Sequence, residues 1–232
     1  MTHALQTVVV LLLVGLAPGL AWGLSIGQRD TFEDGTTQGW VVALLGMSHP
    51  APPVNVPTGG PAGADDSFLM LTSIGADGPG SRLVAINIDQ WSGDFIAAGI
   101  SGIEMDVKNL GQSDLSLRLA FSDPGIGPPV NVAFSTVPYF LPVGRGWIPI
   151  HFPITPVDLT AESGSVTAAL HNATELRLYH SFALDFPGEP VTAVLGVDNI
   201  AATPEPTSAL LLGSGLLALY SLKTWRGRKP RA

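Results

Sequence analysis

The spacing of the apolar residues constrains this chain most. In Ile103-Glu104-Met105-Asp106-Val107 and Leu115-Ser116-Leu117-Arg118-Leu119-Ala120-Phe121 the apolar side chains recur at every second position. Successive side chains of a strand point to opposite sides, so such a run buries one face and wets the other. Similar short runs cover residues 67–72, 82–86, 130–134, 147–152, 175–180 and 194–200. Between them lie Asn109-Leu110-Gly111-Gln112-Ser113-Asp114 and Asp123-Pro124-Gly125-Ile126-Gly127-Pro128-Pro129, which is turn chemistry. Long helical periodicity is missing, and residues 156–172 have room for a turn or two of helix only. Charged residues make up 13% of the chain against a usual value near 25%, which argues against coiled coils and charged disordered chains. Eight or more short strands with Gly/Pro-rich connections predict an all-β fold, an antiparallel β-sandwich of about 180 residues. No internal repeat points to a propeller or solenoid. The Pro/Gly-rich stretch from His49 to Asp66 is expected to be a long mobile loop.

The two ends of the chain have a different composition. Val8 to Leu16 is apolar and is followed by Ala17-Pro18-Gly19-Leu20-Ala21-Trp22-Gly23, with small residues at Ala21 and Gly23. This is the length of a signal-peptide apolar region, with a cleavage site after Gly23, although the preceding residues contain no Lys or Arg. Near the other end, Thr207 to Leu222 is sixteen residues without a charge, followed by Lys223, Arg226, Arg228, Lys229 and Arg231. An apolar span with positive charge directly behind it reads as a single transmembrane helix with a cytoplasmic tail. The expected organisation is therefore a signal peptide over 1–23, a sandwich over 24–202 and a C-terminal segment over 203–232. That segment holds a span over 207–225 and a basic tail over 226–232.

Just before the span stands Thr203-Pro204-Glu205-Pro206-Thr207. A Pro-Glu-Pro triplet, a short apolar helix and an Arg-rich end resemble the PEP-CTERM sorting signal of Gram-negative bacteria. The resemblance implies that Pro204, Glu205 and Pro206 are the recognition element of exosortase, a membrane protease that removes the anchor. It also implies residence in the inner membrane before processing, then at the cell surface or in the extracellular matrix.

Charge and cysteine content exclude several function classes. Of 19 acidic and 11 basic residues, Glu205 and five of the bases lie in the C-terminal segment. Residues 24–203 therefore carry 18 acids against six bases, a net charge of −12. Nucleic acid is excluded as a partner, since phosphate binding needs clustered Lys and Arg. The chain has no cysteine, so disulfides, Cys-ligated zinc and thiol catalysis are ruled out.

Two segments sharpen the sandwich to a jelly roll. Asp30-Thr31-Phe32-Glu33-Asp34-Gly35-Thr36-Thr37-Gln38-Gly39-Trp40 resembles the opening of galactose-binding-like and carbohydrate-binding modules. Gly196-Val197-Asp198-Asn199-Ile200 resembles their closing strand. The resemblance implies that first and last strands pair and that a structural calcium sits where they meet, with Glu33 and Asp198 at the matching positions. Asp30 and Asp34 are candidate helpers, since calcium takes six to eight oxygen ligands from converging carboxylates and carbonyls.

Catalytic patterns are weak. Glu104 and Asp106 share one face of a strand, and a retaining glycosidase uses two carboxylates about 5–5.5 Å apart. Lys108 continues that face, however, which reads better as the solvent side of a sheet. His49, His151, His171 and His180 have no zinc spacing, and no G-x-S-x-G elbow is present. Trp40 and Trp147 are expected in the core. Trp91, flanked by Asp89, Gln90, Ser92, Gly93 and Asp94, is expected to be exposed and available to a ligand. The function that the PEP-CTERM resemblance implies is an exported, non-enzymatic envelope or matrix protein with a structural or adhesive role linked to exopolysaccharide. The alternative is a carbohydrate-binding module with a structural calcium, and the third reading is a glycan-acting enzyme.

Overall fold

The computed structural model describes residues 24–42, 49–78, 80–124 and 128–204. The strands are β1 Arg29–Asp30, β2 Val54–Val56, β3 Phe68–Ile74, β4 Val84–Asn87, β5 Ile100–Asn109 and β6 Leu115–Asp123. They continue with β7 Asn131–Ser135, β8 Tyr139–Leu141, β9 Ile148–Pro153, β10 Leu159–Ser163, β11 Glu175–His180 and β12 Thr192–Pro204. Among the described residues there is one short helix, α1 Val166–His171, capped by the Ser165 hydroxyl, which accepts from the Ala168 amide. The eight runs identified by alternation are all strands, and α1 falls in the stretch with room for one or two turns.

Two antiparallel sheets face each other. The first has the order β2-β3-β12-β5-β9, and the second β10-β7-β6-β11-β4. Two of the long strands, β12 and β6, are each shared end to end by two shorter ones. On β12, β3 pairs with residues 192–197 and β1 continues at Ile200 and Ala201. On β6, β8 pairs with residues 115–117 and β7 with residues 120–123. The chain crosses repeatedly from one sheet to the other, as in a jelly roll.

Alternation decides which side chains meet between the sheets. Ile103, Met105 and Val107 of β5 face Leu117, Leu119 and Phe121 of β6 in one continuous buried core that also holds Leu69, Leu71, Leu195 and Val197. Truncating one of the large members to alanine is expected to destabilise the fold by about 2–5 kcal/mol.

One expectation is corrected here. Residues 49–66 do not form an open loop: β2 adds to the edge of β3, and Asn55 Nδ2 donates to the carbonyls of Phe32 at 2.6 Å and Thr36 at 2.9 Å. An asparagine inside a Pro/Gly-rich stretch carries no periodic signal, so only the folded chain reveals the edge strand. At the other end of the sandwich β12 ends at Pro204, opposite Ile100.

Candidate functional site

The first and last strands do pair, with Asp30 opposite Ile200 and Arg29 opposite Ala201. Of the four carboxylates expected at this junction, Asp30 and Asp34 nevertheless go elsewhere, while Glu33 stays near Asp198. Asp30 turns into the core, where its Oδ2 accepts from Trp40 Nε1 at 2.7 Å and Trp91 Nε1 at 2.6 Å, and Gln90 Nε2 donates to it at 3.1 Å. Burial pushes its carboxyl above the usual range, against the pull of these donors. Asp34 caps its own loop: Oδ1 accepts from the Thr36 amide at 2.9 Å and the Thr36 hydroxyl at 2.8 Å, and these bonds hold its carboxyl below the usual range. Glu33 Oε1 accepts from the Ser67 amide at 2.9 Å.

Asp198 is 1% exposed and, among the described residues, accepts only from its neighbour Asn199, at 2.7 Å from the backbone amide and 3.0 Å from Nδ2. Burial pushes its carboxyl up to about 7, and the nearby carboxylates of Asp66, Asp106 and Glu33 push the same way. Asp66 and Asp106 therefore belong to its surroundings, while Asp30 and Asp34 are committed elsewhere. Among the described residues no group of three or more His, Asp and Glu side chains is close enough to hold a metal ion.

Trp91 is not exposed. Its exposure is 0%, and its ring lies 6.4 Å from that of Trp40 with both indoles donating to Asp30. The polar neighbours that suggested exposure are turn caps: the Asp89 amide donates to Asn87 Oδ1, the Ser92 hydroxyl to Asp89 O and the Ala97 amide to Asp94 Oδ1. Trp147 moves the opposite way, from expected core to the outer face of the first sheet. It is half-buried, meets Phe68 edge-on at 5.1 Å and donates to Gly59 O at 2.9 Å. It reaches that position because β12 carries a glycine beneath it: a Cβ on Gly196 would stand 2.7 Å from Trp147 Cη2.

That outer face holds the candidate site. Asp106 pairs with Asp198 and Glu104 with Ala201 on one side, and with Pro149 and His151 of β9 on the other. Between Asp198 and Ala201 the register of β12 shifts at a bulge, where Asn199 takes a left-handed conformation with φ of 53°. The bulge aims the Asn199 amide along the face, so that Nδ2 donates to Asp106 Oδ2 at 2.9 Å and Oδ1 accepts from Arg29 Nη1 at 3.3 Å. The result is an open groove of about 270 Å³ lined by Arg29, Glu104, Asp106, Pro149, His151 and Asn199. Glu104 is exposed and Asp106 and Lys108 half-buried, so these three positions of β5 do form the solvent side, as their alternation suggested. Sequence reasoning passed over Arg29, His151, Asn199, Trp147 and Phe68 as a set, because only strand pairing brings them together.

Pro204, the first residue of the Pro-Glu-Pro triplet, is the last residue of β12, while Glu205, Pro206, the expected signal peptide and the expected span lie outside the described residues. No described helix is long and apolar enough to cross a membrane.

No protein-family model matches this chain, and no curated protein matches it. Among solved structures, the chain is similar to an exo-beta-agarase, with a TM-score of 0.53 and 15% identity over 79% of this chain. It spans 25% of that agarase chain. It is also similar to a family 11 carbohydrate-binding module from Clostridium thermocellum in complex with a beta-1,3-1,4-mixed-linked tetrasaccharide, with a TM-score of 0.49 and 12% identity over 78% of this chain and 97% of that one. A carbohydrate-binding module of family 28, specific for non-crystalline cellulose, follows with a TM-score of 0.46 and 15% identity over 78% and 97%. At 15% identity the likeness to the agarase chain is one of fold alone, and the fold is the two-sheet antiparallel β-sandwich described above.

Proposed function

We propose that this chain is an exported, non-catalytic carbohydrate-binding sandwich that holds a glycan on the outer face of its first sheet. The observation that carries this is the juxtaposition on one face of half-buried Trp147, seated over Gly196 and backed edge-on by the buried Phe68, with the polar groove of Glu104, Asp106, His151 and Asn199. A sugar ring offers an apolar C–H face and a rim of hydroxyls. An indole can stack on the face, while carboxylates, an imidazole and an amide exchange hydrogen bonds with the rim. The resemblance of the opening and closing segments to carbohydrate-binding modules supports the same function. A structural or adhesive role in an exopolysaccharide matrix is then a consequence of glycan binding.

The PEP-CTERM resemblance supports export, a C-terminal anchor in the inner membrane and processing by exosortase at Pro204, Glu205 and Pro206. Calcium enters this proposal at Glu33 and Asp198 alone, because Asp30 and Asp34 are committed to their own donors. Burial and like charge around Asp198 are what a bound cation would relieve.

Calorimetric titration of the purified chain with mixed-linkage glucan, agarose oligosaccharides and purified exopolysaccharide tests the proposal. Saturable binding to at least one of them, weakened by Trp147→Ala, is the expected outcome. Absence of binding to all three in correctly folded protein overturns it, and release of reducing ends abolished by Glu104→Gln would replace it with an enzyme.

A further inference from the structure

We infer that the end of the sandwich around Pro204 seats on the surface of the bilayer while the anchor is intact. This rests on the anchored state proposed above. Three observations carry it further than the presence of an anchor.

The first is tether length. β12 ends at Pro204, and the uncharged segment begins at Thr207. At no more than about 3.6 Å per residue, the intervening chain spans about 11 Å at full extension. A sandwich held this closely cannot turn freely above the membrane, and the end from which the chain leaves is the end that faces the lipid.

The second is the character of that end. A groove of about 360 Å³ is lined by Ile96, Ile100, Ile154, Thr155, Pro156 and Pro204, with Gly99 and Ser101 completing it. None of these eight residues is charged, in a domain whose net charge over 24–203 is −12. Two carboxylates close by in sequence have partners of their own: Asp94 accepts from the Ala97 amide and pairs with His171 at 2.9 Å, and Asp158 accepts from the Thr155 amide at 3.2 Å, while Glu205 follows Pro204 in the tether itself.

The third is exposed apolar side chains around the groove. Ile26, which lies 3.5 Å from the position of a Cβ on Gly99, is 49% exposed, and Val157, next to Pro156, is 88% exposed. Together they form a shallow apolar rim about the point where the chain leaves, which suits the headgroup and upper acyl region of a bilayer.

The chain contains no cysteine, so single cysteines report position without further substitution. Ile96 and Leu110 flank the two ends of β5 and have the same exposure, 36% each. Ten residues of strand put them about 33 Å apart, one at the exit end and one at the opposite end. The full chain carrying an environment-sensitive fluorophore at Ile96→Cys, Val157→Cys or Leu110→Cys is reconstituted in vesicles of zwitterionic lipid with headgroup-attached nitroxide. Expected are blue-shifted emission and loss of most fluorescence for labels at 96 and 157, with neither at 110. In Val157→Asp the quenching at 96 should fall. Co-flotation with vesicles but equal, weak quenching at all three positions overturns the seating and leaves the anchor standing. Failure to co-float overturns the anchored state and the seating with it. A label at 96 that is shielded from aqueous iodide yet not quenched by lipid nitroxide puts a second copy of the chain at this end and also overturns the proposal.

Discussion

The outer faces of the two sheets are built from the same alternating strands and end up with opposite characters. On the first sheet Glu104, Asp106 and Lys108 of β5 stay accessible, the Asn199 bulge spreads polar groups across the strands, and Trp147 lies half-buried over Gly196. On the second sheet the corresponding positions are covered. Arg118 of β6 is buried, and its guanidinium donates to the carbonyls of Ser135 at 2.5 Å, Thr136 at 2.9 Å, Ser181 at 3.1 Å and Phe182 at 3.2 Å. Beside it Tyr179 meets Phe186 edge-on at 5.9 Å, and Arg177 stands 4.6 Å from the same Phe186 ring. The segment 181–189 thus closes the second face as a small second core of Ala120, Phe134 and Tyr179 with Phe186 packed against it. A polar residue at an outward position of a strand can therefore line a groove or serve as the hook for a covering loop. What separates the two outcomes is whether backbone carbonyls come to meet it.

Predictions that test this contrast begin on the closed face. Arg118→Ala removes the donor of four carbonyls, at least part of whose desolvation is then uncompensated, and should destabilise the fold by about 3 kcal/mol. Denaturant midpoints read the loss, while glycan affinity per folded molecule should stay unchanged. If the affinity falls as well, the two faces are not independent.

At the rim of the open face, Asp198→Asn removes a carboxyl whose folded pKa, about 7, lies above its unfolded value near 3.8. A raised carboxyl favours the fold while protonated, so its contribution is present below about pH 4 and is lost as the pH rises through 7. Without calcium the variant should be more stable than the parent at pH 8, by on the order of 1–2 kcal/mol, and should show a flatter dependence between pH 4 and 7. If calcium binds there, the parent gains melting temperature with added calcium and loses it with chelator, and the variant does neither. A parent melting temperature indifferent to calcium removes the ion from the proposal.

Trp147→Ala takes the platform from the open face and should weaken glycan binding about tenfold, or about 1.4 kcal/mol. Its stability loss should be smaller than that of Trp91→Ala, because Trp91 is enclosed in the core and Trp147 only half-buried. The smallest effect is expected for Glu104→Gln, where an exposed carboxylate becomes an amide and stability should move by no more than about 0.5 kcal/mol. Calorimetry with the same glycan then shows whether its charge contributes to binding.

Much of this architecture was legible from residue spacing. Ile103 to Val107 and Leu115 to Phe121 announced their buried faces, and Glu104, Asp106 and Lys108 announced the wet one. The pairing of first and last strands, expected from the motifs at Asp30 and Asp198, holds in the register Asp30 to Ile200. The site was less legible. Trp91 and Trp147 exchanged their expected roles because a polar neighbourhood describes the turn around an indole and not the direction of its ring. Asp30 looked like a metal ligand and is the acceptor of two buried indoles, since a carboxylate beside aromatic N–H donors reads in sequence like any acidic residue in a turn.

By itself the sequence determined the class of fold, the number and place of the main strands, the inner and outer position of most of their residues, and the uncharged segment at the C-terminal end. These are local or periodic properties, set by the two-residue repeat of a strand and by where glycine and proline interrupt it. Only the tertiary structure decided which outer face is open and which is closed, that Asn199 reaches Asp106 across a bulge, and that Pro204 leaves from an uncharged end. Those outcomes depend on pairings between residues as far apart as Asp106 and Asn199, or Arg118 and Ser181. Register is fixed by the sum of many cross-strand contacts, and no single motif carries it.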